Sequence, residues 1–101
     1  MILLYVPCSS EKEALKIASA ALNARLAACA NYWNGKSAFN WKNKQVNTKE
    51  CFLLLKTTPR KRLALERLIK QMHSYELPAI IGIKPYAVNK EFAFWANKQL
   101  K

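Results

Sequence analysis

The chain has 101 residues, 51% of them hydrophobic and 23% charged. That is a length for one domain, 1–101, able to bury about 65% of its extended surface, and a composition that excludes disorder and collagen-like repeats. Its 17 Lys and Arg against 6 Glu give a net charge of +11. Such a charge attracts polyanions, but lysines scattered from Lys12 to Lys101 equally describe a solvated surface, so weak, nonspecific nucleic-acid binding is expected.

Ile2 to Val6 is an apolar run ending at Pro7 and reads as a strand. It lacks the positive n-region of an export signal, and no apolar stretch approaches the ~18 residues of a membrane span, so a cytoplasmic protein is expected. Ser10-Glu11-Lys12-Glu13 forms a capping box. Behind it Leu15, Ala18, Leu22 and Leu26 recur on one helical face, predicting a helix that ends near Arg25. Ala27 to Trp41 reads as extended chain with an irregularity at Asn34-Gly35. Lys42-Asn43-Lys44 makes a turn, and Glu50 to Lys56 is a strand, so 27–56 forms a hairpin. Thr58-Pro59 is an N-cap with proline at the first helical position, opening a helix that carries Leu65, Leu68, Ile69 and Met72. Ala79 to Ile83 is a short strand after Pro78. Asn89 caps a last helix bearing Phe92, Trp95 and Ala96.

The resulting fold class is α+β: a ferredoxin-like βαββαβ unit with an antiparallel-rich sheet and an additional C-terminal helix. Two helices on one face of the sheet leave the other bare. Ile2 to Val6 and Phe52 to Leu55 are nevertheless apolar at both parities, whereas a wetted face alternates. Trp33, Phe39 and Trp41 add apolar surface on the hairpin. Further copies of the chain are the expected cover.

Catalytic patterns are missing. The sequence has two glycines, too few for a glycine-rich phosphate loop, and no G-x-S-x-G, so no enzyme is expected. Glu50 and Glu76 could form an acid/base pair, and His73, the single histidine, could be a metal ligand, a base, or a cap on helix carbonyls. Cys8, Cys29 and Cys51 contain no C-x-x-C spacing and read as reduced thiols.

Four segments in order resemble the CutA divalent-cation-tolerance family: Arg25-Leu26-Ala27-Ala28-Cys29-Ala30-Asn31, Trp41-Lys42-Asn43-Lys44, Glu50 to Thr57, and His73-Ser74-Tyr75-Glu76-Leu77-Pro78. The resemblance implies a non-enzymatic homotrimer, similar in architecture to PII signalling proteins, with a role in tolerance of copper or another divalent metal. It implies intersubunit clefts gathering Cys29, Lys56, His73 and Tyr75, and hairpin or trimer contacts at Trp41 and Glu50. Cys8 matches the cysteine that copper-binding members use, while Met72 and Ala79 stand where those members carry a histidine and a glutamate. The set Cys8, Met72 and His73 therefore suits Cu(I), with the carboxylate lost. The alternatives are a PII-like signalling trimer binding a small ligand or anion in those clefts, or a basic nucleic-acid-binding module.

Overall fold

A computed structural model describes residues 1–101. Strand β1, Ile2–Cys8, turns Leu4, Val6 and Cys8 inward and leaves Leu3, Tyr5 and Pro7 on the opposite face. It runs past Pro7 instead of stopping there. The neighbouring strand on one side reaches only to Tyr5, so Pro7 borders an unpaired edge, where a missing amide is tolerated. Helix α1, Glu11–Asn23, begins as predicted, with the Ser10 hydroxyl accepting the Glu13 N–H at 3.1 Å. At its other end Leu26 N–H donates to Ala21 O and Arg25 N–H to Leu22 O, closing a Schellman motif. Arg25 takes the left-handed position usually given to glycine, at φ +56°. Its guanidinium donates to Gln99 O at 3.0 Å, offsetting a backbone cost of about 1–2 kcal/mol.

Strands β2, Cys29–Trp41, and β3, Lys44–Thr57, form one long hairpin whose register runs unbroken from Cys29↔Lys56 to Trp41↔Lys44. The irregularity expected at Asn34-Gly35 is absent. Glycine is needed there for another reason: a Cβ on Gly35 would run into the ring of Phe52, which lies diagonally across the pair. The turn joins Lys42 and Asn43, both left-handed at φ +51° and +64°, the signature of a two-residue type I′ hairpin. β3 begins at Lys44, six residues before the Glu50 expected from apolar content. The outer half of the hairpin carries Phe39, Trp41 and Val46 among polar residues and is held by its ladder and turn. The molecule measures 45 Å along its longest axis.

A 3₁₀ turn, Pro59–Lys61, leads into α2, Arg62–Met72. Thr58 has the extended backbone of a cap, but its hydroxyl is buried and makes no hydrogen bond, so the predicted side-chain cap is not formed. Strand β4 is shorter than expected, Ile81–Ile83, and α3 spans Lys90–Gln99. Asn89 occupies the cap position of α3, but its side chain donates to Glu91 and does not cap the backbone.

The sheet order is β2-β3-β1-β4, and every neighbouring pair is antiparallel. One core joins Leu4, Val6 and Cys8 of β1 and Cys51, Leu53 and Leu55 of β3 to α1 and α2 through Ile17, Leu65 and Ile69. α3 docks separately, with Ala96 and Leu100 on Ala28 and Met1. Its Trp95 is exposed and Phe92 only half-buried, so the face expected to pack inward contributes Ala96 alone. The sheet face away from α1 and α2 carries Leu3, Tyr5, Phe52 and Leu54, with exposed Trp33, Ile81 and Ile83 beside them. None of these side chains is more than half exposed, so each forgoes at most about half of the roughly 1.5–3 kcal/mol that full burial gives.

Candidate metal centre

Three elements end at one point. Cys8 closes β1 on its buried face, Glu13 stands in the first turn of α1, and His73 caps the C-terminus of α2. The Cys8 thiol, a Glu13 carboxylate oxygen and a His73 ring nitrogen all lie within 4.8 Å of one another.

Each group is held by neighbours. Glu13 Oε1 accepts the Ser9 N–H at 2.9 Å and the Ser9 hydroxyl at 3.0 Å, and Oε2 accepts the Ser74 N–H at 2.9 Å. Burial alone would raise its carboxyl, but these hydrogen bonds outweigh burial and hold it below its usual value. His73 Nε2 lies 2.8 Å from Pro7 O, and its Nδ1 accepts the Tyr75 N–H at 3.1 Å. A carbonyl only accepts and an amide only donates, which assigns the proton to Nε2 of a neutral ring. Nδ1 to Glu13 Oε1 is 3.8 Å, too long for a hydrogen bond. Burial, then the negative charge of Glu13, pushes the Cys8 thiol up to about 12.

Beside this group the Tyr75 ring packs 4.7 Å from His73, and its hydroxyl donates to Glu50 Oε2 at 2.5 Å. Burial, followed by that carboxylate, raises the Tyr75 pKa. Glu50 is 7% exposed and accepts from Tyr75, whereas Glu76 is exposed; both line one cavity, and no hydrogen bond joins them. That cavity, of about 750 Å³, is also lined by Phe39, Trp41, Tyr75 and Leu77. Trp41 ends β2 at the hairpin tip, 39% exposed, with Lys42 Nζ 5.8 Å above its ring.

Of the residues singled out in the sequence, Cys8 and His73 meet. Met72 packs against the hydrophobic core. Glu13 was missed, because its place in the capping box already accounted for it; its outward-reaching carboxylate is what joins α1 to the centre. The carboxylate thought lost at Ala79 is thus supplied from another element. Cys29 and Lys56 form a separate pair, Sγ to Nζ 3.8 Å, with Lys56 Nζ 5.3 Å from the centre of the Phe92 ring. Lys56 is opposite Leu3 and Cys8 opposite Cys51, which separates this pair from Cys8 by about 17 Å along the strand. Within one chain, therefore, Cys29 and Lys56 do not join His73 and Tyr75.

Thiol, imidazole and carboxylate together suit a borderline divalent ion such as Cu²⁺ or Zn²⁺ more than Cu(I). Tetrahedral bonds of about 2.0–2.3 Å put donors about 3.3–3.8 Å apart, so the widest separations in the group must contract by about 1 Å. Cys8 must also release its proton, and His73 Nδ1 must give up the Tyr75 N–H. The residues fit such an ion, at those costs.

Residues 2–99 match the family described as CutA1 divalent ion tolerance protein. The divalent-cation tolerance protein CutA of Thermotoga maritima is 35% identical over 100 residues, covering 99% of both chains. The crystal structure of the divalent ion tolerance protein CutA1 from Ehrlichia chaffeensis superposes with a TM-score of 0.95 at 34% identity, covering 99% of this chain and 94% of that one. The periplasmic divalent cation tolerance protein CutA of Archaeoglobus fulgidus superposes with a TM-score of 0.97 at 33% identity over the whole of both chains. Sequence and fold agree along the full length, and the chain belongs to the CutA1 divalent ion tolerance family.

Proposed function

We propose that this protein is a non-enzymatic divalent-cation tolerance protein, working as a homotrimer, in which Cys8, Glu13 and His73 would hold the cation. The convergence of those three donor groups within 4.8 Å carries the reading. A bound ion would act there as a Lewis acid that offsets the charge of Glu13 and of a deprotonated Cys8. Glu13 brings a charge already in place, fixed by Ser9 and Ser74. Cys8 brings a thiol whose proton must leave, so occupancy rises with pH. The same features speak against catalysis: burial holds the thiol protonated, and both nitrogens of the imidazole are engaged. Neither group is a ready nucleophile or base. The uncovered apolar sheet face supports assembly, and three reduced thiols suit the cytosol.

Titration with Cu²⁺ and Zn²⁺ against a competing chelator tests the site. One ion per chain is expected, weakened at least tenfold in Glu13→Gln and in Cys8→Ala, and unchanged in Met72→Leu. Binding that survives both of the first two substitutions would move the site elsewhere.

A further inference from the structure

Cys8 and Cys51 are register partners at the last pair of the β1/β3 ladder. Both are fully buried on the helix-covered face. Residues directly opposite in an antiparallel pair have Cα atoms about 4.5–5.5 Å apart, inside the range of about 4.4–6.8 Å that a disulfide spans. Their Cβ atoms, about 4.5–5.5 Å apart, need only a small contraction to reach the 3.5–4.5 Å that the bond prefers. Cys8 ends β1 beyond the reach of β4, so its side of the pair can yield, while Cys51 stays held in the β2/β3 ladder opposite Asn34. Cys29 has no such partner: it sits opposite Lys56.

We propose that Cys8 and Cys51 are a cross-strand dithiol that hydrogen peroxide converts to a reversible disulfide clamping β1 to β3. One thiolate attacks the peroxide oxygen, giving a sulfenic acid and releasing the other oxygen as water after protonation. The second thiolate then attacks that sulfur and displaces its hydroxyl as a second water. Two thiols and one peroxide thus become one disulfide and two waters; both sulfurs are oxidised and the peroxide is reduced. Both thiols are shut away from solvent, so the folded pair reacts slowly, and fraying of the β1 end sets the rate. A consequence, which rests on the proposed function, is that oxidation withdraws Cys8 from the cation centre.

The test treats the reduced, folded protein with hydrogen peroxide, blocks residual thiols by alkylation, and maps peptides by mass spectrometry. The expected product is two hydrogens lighter and contains a Cys8–Cys51 linked peptide that dithiothreitol reverses. Cys29→Ala should give the same product, and mild urea should accelerate its formation. Cys8→Ala and Cys51→Ala should lose it; the wild-type map and Cys29→Ala decide the matter if those core variants fold poorly. Oxidation confined to Cys29, or Cys8 and Cys51 each carrying added oxygen without a link, would overturn the proposal. The measurement reads the bond itself, independently of whether the reduced protein binds a cation.

Discussion

Glu50 is a carboxylate withdrawn from water, and desolvating such a group is costly unless its oxygens find donors. The Tyr75 hydroxyl is the donor, at 2.5 Å, and a short bond to a charged acceptor is among the stronger kinds. Tyr75→Phe keeps the ring against His73 and removes only the hydroxyl. It is expected to destabilise the fold by about 1.5–3 kcal/mol in urea unfolding at neutral pH, because the carboxylate stays buried without its partner. A change below about 0.5 kcal/mol would class Glu50 with ordinary surface residues. A loss in the Tyr75→Phe/Glu50→Gln double variant equal to the sum of the losses in the two single variants would show that the two side chains do not interact.

Helix α1 does two things with one residue. Glu13 helps its N-terminus, where a negative charge complements the helix dipole, and the same carboxylate ties the helix to Ser9 and to Ser74 beyond α2. Its pKa is lower in the folded protein than in the unfolded chain. The stability it provides is therefore complete above the unfolded value, about 4.3, and is lost as pH falls through the lower folded value. Glu13→Gln is expected to cost about 1–3 kcal/mol at pH 7. The gap between wild type and variant should narrow as the pH drops below about 4. Denaturant unfolding at a series of pH values checks both statements, and a gap independent of pH would assign the cost to packing instead.

For the whole molecule the deciding feature is the bare face of the sheet. Trp33, Ile81 and Ile83 are each more than two-fifths exposed in the single chain, and they adjoin Tyr5, Phe52 and Leu54. A continuous apolar patch of that kind marks an association surface. Sedimentation equilibrium at micromolar concentration is expected to give three times the 11.6 kDa chain mass, with no folded monomer. A stable species at the single-chain mass would refute the homotrimer. Ile81→Lys, placed on that face opposite Tyr5, should shift the mass towards monomer while leaving the β1/β3 core intact.

Local chemistry determined the element order. Ser10 and Glu13 mark the start of α1, the spacing of Leu65, Leu68, Ile69 and Met72 marks α2, and Pro59 opens the 3₁₀ turn that leads into it. Those signals act over a few residues, so they are legible without a fold. Apolar strands at both parities also announced a second apolar face. The outer half of β3 was not legible as strand, because Lys44 to Lys49 is polar apart from Val46 and its pairing comes from the opposite strand and a turn with two left-handed residues. Gly35 looked like a break, and only the neighbouring Phe52 ring explains it as a close approach. The candidate centre was half legible: Cys8 and His73 were visible as donor types, but Glu13 had a sufficient local role and Met72 had a plausible chemical one. Metal-ligand geometry depends on which side chains converge from distant elements, and β1, α1 and the end of α2 meet only after the sheet and its two helices have packed.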